Sequence, residues 1–174
     1  MKEANKPFVL WLLGLSGSGK STLSEEIKKR LDKLEIKVEN LDGDVLREML
    51  PNTGFDKISR VEHNKRAAFL ASLLEKNGVS VIVSLIAPYQ ESRDYANWKC
   101  NNYVEIFVDA SIEECEKRDV KGLYKKVRDG EIKNFTGIDD PFEIPNNPAL
   151  IIKTADESLE QSADKIMKLM QQFL

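Results

Sequence analysis

Apolar residues along this chain arrive in two alternating rhythms. Phe8-Val9-Leu10-Trp11-Leu12-Leu13 is an unbroken apolar run, as in a strand buried on both faces. After it, Leu23, Ile27, Leu31 and Leu34 recur every three or four residues, the stripe of a helix leading on from Thr22. Residues 36–41 read as a second short strand. Residues 79–86, rich in β-branched side chains, read as a third that Pro88 ends. Residues 103–108, closed by Asp109, make a fourth, and residues 149–152 a weaker fifth. Helical patterns cover residues 60–76, ended by Asn77-Gly78, and residues 157–173. Strands alternating with helices of this length predict βαβ units. The expected fold is therefore α/β, a parallel five-stranded sheet with helices on both faces. Ligands of such sheets bind at the carboxyl ends of the strands, so residues after Leu13, Leu41, Ile86 and Val108 should share one site.

The segment after the first strand carries the strongest chemistry. Gly14-Leu15-Ser16-Gly17-Ser18-Gly19-Lys20-Ser21 completes the G-x-x-x-x-G-K-[ST] phosphate-binding pattern between a strand and a helix. Its glycines let backbone N–H groups turn inward around phosphates, and the following helix adds the positive end of its dipole. Lys20 is placed to reach the outer phosphates, and the Ser21 hydroxyl to ligate Mg²⁺. The pattern predicts a chain that binds a nucleoside triphosphate.

Asp42-Gly43-Asp44 follows the second strand, at the same sheet edge. Two carboxylates there could hold Mg²⁺ through water and accept a proton from a substrate hydroxyl. Alone they would be a plain Asp-Gly turn; the phosphate loop is what raises the reading. Arg47 lies one helical turn beyond Asp44 and can face the same pocket. Gly54-Phe55 and then Arg60, His63, Lys65 and Arg66 form a second cluster. Arg60 and His63 share a helical face and either could ligate an anion, although such charges also suit a solvated helix. Residues 121–128 bring four cations beside Gly130–Pro148, which holds three prolines, two glycines and no sustained period. Residues 119–148 are expected to be a mobile lid over the nucleotides.

Composition narrows the partners. At 174 residues the chain fits one domain, spanning 1–174, with no separating linker. Its 26 basic and 29 acidic residues give a net charge of −3, without the electrostatic footprint of a nucleic-acid binder. No apolar run approaches a membrane span. Lys2 and Lys6 precede apolar residues as in a signal peptide, but that run enters the phosphate loop directly and reads as the first strand. Cys100 and Cys115 form neither a C-x-x-C nor a zinc spacing, and His63 is the one histidine, so no His/Cys metal site can be assembled. Two free thiols fit a reducing cytoplasm. A GTPase would need an Asn/Thr-Lys-x-Asp motif, which is missing; a motor-type ATPase would need an acidic residue after the third strand, where Ala87-Pro88 stands. A small phosphotransferase remains.

Gly14–Ser21, Leu41-Asp-Gly-Asp44, Thr53-Gly54-Phe55, Ile86-Ala-Pro-Tyr89, the Arg118–Lys126 run and Gly130–Pro141 occur in that order. This series resembles the adenylylsulfate kinases, P-loop kinases that phosphorylate the ribose 3′-hydroxyl of adenosine 5′-phosphosulfate. The resemblance covers nearly the whole chain. It implies ATP and Mg²⁺ as cofactors, with Gly14, Ser16, Gly17, Ser18, Gly19, Lys20, Ser21 and Thr22 around the ATP phosphates. Lys20 and Asp44 would be catalytic, Ser21 and Asp42 would serve the metal, and Arg118 would lie against the donor adenine. Arg47, Phe55, Arg60 and His63 would contact the acceptor nucleotide with Asp42 and Asp44. Ile86, Ala87, Lys121, Phe135 and Thr136 would complete that side, with Phe135 stacked on the base. Three departures fall on the acceptor side: Ala87 for the family's usual serine, Gln90 for arginine, and His63 for asparagine. The missing serine removes any phosphoserine route, and the missing arginine removes a cation. The expected activity is phosphorylation of adenosine 5′-phosphosulfate to 3′-phosphoadenosine 5′-phosphosulfate, a step of sulfate assimilation. A kinase of another 5′-substituted nucleotide, such as cytidine diphosphoramidate, and a non-catalytic nucleotide sensor are the alternatives. The expected partner is a small nucleotide acceptor, with neither nucleic acid nor membrane, and a homodimer stays open.

Overall fold

The computed structural model describes residues 5–50 and 54–174; Lys2 and Thr53, both named above, lie outside the described residues. Five strands, β1 (Val9–Leu13), β2 (Val38–Asp42), β3 (Ser80–Leu85), β4 (Tyr103–Asp109) and β5 (Leu150–Lys153), form one sheet. Its order is β2-β3-β1-β4-β5, and every pairing is parallel. The helices are α1 (Lys20–Lys33), α2 (Gly43–Met49), α3 (Lys57–Lys76), α4 (Gln90–Lys99), α5 (Ile112–Arg118), α6 (Leu123–Arg128) and α7 (Leu159–Met170). A short 3₁₀ turn, Gln171–Phe173, follows α7.

Burial of both sheet faces explains the unbroken apolar strands. Leu10 and Leu12 of β1 pack with Leu23, Ile27 and Leu31 of α1 and with Ile166 of α7. Val9, Trp11 and Leu13 point to the other face, against Ala67, Ala68 and Ala71 of α3 and Ala96 of α4. Leu13 pairs with Leu85 of β3 and Phe107 of β4, so β1 and β3 end at one level and β4 runs two residues beyond it, at the same sheet edge.

One buried carboxylate ties the helical layer to the sheet. Glu75, 4% exposed, accepts the backbone N–H groups of Asn101 (2.9 Å) and Asn102 (2.7 Å) just before β4. Glu75→Ala should cost about 1–3 kcal/mol, because it removes the acceptor of two part-buried backbone donors. Urea unfolding measures this, and a loss under about 0.5 kcal/mol would show that the loop finds other acceptors.

The segment 119–148, expected to be a mobile lid, contains a helix that its lack of sustained period did not show. The Asp119 carboxylate accepts the N–H groups of Tyr124 and Lys125, starting α6 within it. Tyr124 meets Phe135 edge-on, with ring centroids 4.9 Å apart. Together with Ala110 and Cys115 they make a small core of their own. A six-residue helix completes too few turns to show a period, which hid it in the sequence. The shifts of three residues or fewer at the ends of the other expected elements reflect fraying and capping rather than a change of fold.

Candidate active site

A cavity of about 490 Å³ opens at the carboxyl edge of the sheet, between the phosphate loop and the 119–148 segment. Gly14 and Gly17 make the loop's path feasible. A Cβ on Gly14 would stand 2.3 Å from the Val108 carbonyl oxygen. One on Gly17, where φ is +79°, would stand 3.1 Å from that of Cys115. Ser16, Gly17, Gly19, Lys20, Ser21 and Thr22 line the cavity, whereas Gly14 and Ser18 lie beneath the loop as its support. The Lys20 ammonium donates to Gly14 O (3.0 Å) and Leu15 O (2.7 Å), and lies 3.5 Å from Ser18 Oγ. Burial lowers its pKa to about 8, the largest of several influences.

Ser21 Oγ donates to Asp42 Oδ2 at 3.1 Å. The other oxygen of Asp42 accepts the Asp44 N–H (2.9 Å), capping α2 and fixing both carboxylates. Among the described residues no three His, Cys, Asp or Glu side chains gather as a metal cage. The donor set, one hydroxyl beside one carboxylate, fits Mg²⁺, which keeps its waters and takes the rest of its shell from substrate phosphates. Asp44 reaches across the cavity mouth and pairs with Lys121. Of the four cations in residues 121–128, Lys121 is the one lining the cavity, while Arg128 pairs with Glu116.

Arg118 closes the loop's flank. Its guanidinium donates to the carbonyls of Gly17 and Ser18 (3.3 Å each) and to Thr154 Oγ1 (3.0 Å). Thr154 belongs to no sequence motif, but it lies just past β5, where the strand-end rule places ligand contacts.

Opposite lies a second wall. The guanidiniums of Arg47 and Arg60 sit 4.7 and 5.6 Å from the centroid of the Phe55 ring. Arg60 donates to Phe55 O and Asn134 O, both at 2.6 Å. Ile86, Ala87, Phe135 and Thr136 complete this wall with Ser84 and Asn64, two residues not anticipated from sequence. Phe135, 9% exposed, packs edge-on against Tyr124. Ala87 holds φ at +45°, a strained value for a residue with a Cβ, and Arg93 Nη1 grips its carbonyl at 2.7 Å.

Two departures change meaning in three dimensions. Gln90 does not line the cavity: its amide oxygen accepts from Arg93 (2.6 Å) and its nitrogen donates to Asp94 (2.8 Å). His63 does line the cavity, but burial, with Arg47 beside it, pushes its pKa down to about 4. The ring is neutral near pH 7 and one nitrogen is spent on Gly43 O at 3.2 Å, so anion binding falls to the arginines.

Residues 6–153 match the family described as Adenylylsulphate kinase. A curated adenylyl-sulfate kinase of Picosynechococcus is 50% identical over 160 residues, covering 91% of this chain and 90% of that one. Another, of Gloeothece citriformis, is 48% identical over 165 residues, covering 94% of each. The solved APS kinase of Mycobacterium tuberculosis, in complex with AMPPNP and APS, superposes with a TM-score of 0.92 at 36% identity. That match covers 96% of this chain and 99% of the other.

Proposed function

The chain belongs to the adenylylsulphate kinase family, and from that premise we infer that it transfers the γ-phosphoryl group of ATP to the ribose 3′-hydroxyl of adenosine 5′-phosphosulfate. The products are 3′-phosphoadenosine 5′-phosphosulfate and ADP. The observation that carries this reading is the opposition of two walls across one cavity. Ser21, Asp42 and Asp44 are linked beside Lys20, and Arg47 and Arg60 gather around Phe55, all lining the same cavity.

Ser16, Gly17, Gly19, Ser21 and Thr22 take the ATP phosphates on a loop that Gly14 and Ser18 support, and Lys20 turns from its carbonyl partners to the outer phosphates. Held by Ser21 and, through water, by Asp42, Mg²⁺ would neutralise phosphate charge. Asp44 accepts a hydrogen bond from the 3′-hydroxyl and then its proton, which requires release from Lys121. Freed in that exchange, Lys121 turns to the anionic groups. Arg47 and Arg60 hold the 5′-substituent, Phe55 and Phe135 bracket the nucleoside, and Arg118 flanks the donor adenine. Ile86, Ala87 and Thr136 shape the acceptor side, and His63 faces it as a neutral group. Catalysis comes from positioning and electrostatics rather than from a covalent intermediate. Purified protein with ATP, Mg²⁺ and adenosine 5′-phosphosulfate should release ADP and a 3′-phosphorylated product. Faster turnover of cytidine diphosphoramidate than of adenosine 5′-phosphosulfate would overturn the acceptor assignment but not the reaction type.

One domain, residues 1–174, carries this chemistry, with 119–148 as its lid. The 134–143 limb is tied down: Tyr89 Oη donates to Asp140 (2.9 Å) and the Glu143 N–H to Pro88 O (2.8 Å). The tip is open, with Val120 84% exposed. Trypsin should therefore cut after the basic residues of 121–133, and ADP with acceptor should slow that cutting at least several-fold. Equal rates with and without ligands would remove the lid from this account. Both cysteines are free and buried, in keeping with a cytoplasmic site, and no described helix is long and apolar enough to cross a membrane. A homodimer is the oligomeric state carried with this reading, and sedimentation equilibrium measures it.

A further inference from the structure

The two walls of the cavity differ in how their buried polar atoms are satisfied. On the phosphate-loop wall, Lys20, Arg118 and Thr154 all have partners within the protein. On the acceptor wall, four side-chain atoms have none: His63 Nδ1, Asn64 Oδ1, Ser84 Oγ and Thr136 Oγ1. Their residues are 1%, 3%, 6% and 2% exposed, and all four line the cavity. Buried polar groups normally find partners, so a cluster of unpaired ones in a binding wall points to a ligand.

Two of these atoms have a defined character. Gly43 O, 3.2 Å from His63 Nε2, can only accept, so Nε2 carries the proton and Nδ1 is a bare acceptor. Asn64 Nδ2 donates to Arg60 O at 2.8 Å, which orients the amide and leaves its oxygen as the free end. Adjacent residues of α3 thus present two acceptors and no donor. A wall built this way favours a ligand that brings donor hydrogens and disfavours one that brings a carbonyl or nothing.

We propose that His63 and Asn64 are specificity-determining residues that read donor hydrogens, amino or hydroxyl, on the acceptor nucleotide. The proposal rests on the phosphoryl-transfer reading above. It assigns His63 a task that a cation could not perform, since a protonated ring would offer a donor where an acceptor is needed.

Two substrate analogues separate the sources of the donor: inosine 5′-phosphosulfate replaces the base amino group with a carbonyl, and the 2′-deoxy analogue removes a hydroxyl. For each, kcat/KM and the calorimetric Kd in the presence of ADP are compared with those of adenosine 5′-phosphosulfate. Wild-type protein should discriminate against at least one analogue by about tenfold or more. In His63→Phe, which keeps a flat ring without the acceptor, that ratio should fall toward one. Asn64→Leu should lower it as well, and His63→Asn, which restores a side-chain oxygen, should recover part of it. A purely structural role would slow all substrates alike and leave the ratio standing. Discrimination against neither analogue, or a ratio unchanged in both folded variants, overturns the proposal. If wild-type protein binds these nucleotides but turns none over, the activity reading fails while the Kd ratios still decide this one.

Discussion

In Lys20→Ala, phosphoryl transfer falls by at least ~10²- to 10³-fold while the fold persists. A fixed cation aimed at developing negative charge in a water-poor site is worth that much. The same residue contributes little to the ligand-free fold. Its contacts with Gly14 O and Leu15 O are lost in the variant, but so is the cost of burying an ammonium. That cost has a pH signature. Burial lowers the Lys20 pKa from 10.5 to about 8, so between those values the unfolded chain holds a proton that the folded one has released. Stability from this group therefore rises with pH from about 8 to 10.5, and the variant should lack the rise. Steady-state kinetics, circular dichroism and urea titrations at pH 7 and 10 test all three parts. Residual activity above about a tenth of wild type would sink the electrostatic role.

Asp44→Asn should lower kcat by ~10²- to 10⁴-fold, with a smaller rise in the acceptor KM. The amide keeps the shape and can still meet a hydroxyl, but it takes no proton and carries no charge. Asp44 also pairs with Lys121, so loss of that pair is the competing explanation. Lys121→Met separates the two, because it breaks the pair and leaves the carboxylate. It should act mainly on KM, as expected for a lid cation on a half-exposed, weakly stabilising pair. Equal losses of kcat in both variants would move the proton acceptor elsewhere, with Asp42 the next candidate.

Much of this site could be read from local chemistry. The phosphate loop is contiguous, and its strand and helix neighbours are legible from the apolar run at 8–13 and the stripe of Leu23, Ile27 and Leu31. Asp42 and Asp44 became readable through the strand-end rule rather than through any feature of their own. The rest depended on contacts between distant segments. Thr154 meets Ser18 O across 136 positions, and Arg60 meets Asn134 O across 74, separations over which no spacing rule operates. Gln90 looked like an acceptor-wall residue until its side chain was seen to be engaged by Arg93 and Asp94.

Periodicity and the phosphate loop alone determined the α/β class, the parallel sheet and the sheet edge that binds phosphate. Backbone hydrogen bonding and apolar burial follow directly from local residue order, which is why they show in the sequence. Only the tertiary structure decided that His63 is neutral and that Phe135 packs against Tyr124. It alone decided which of the lid cations faces the cavity. Protonation and side-chain direction are set by what surrounds a group in space, and those surroundings come from several elements far apart in the chain.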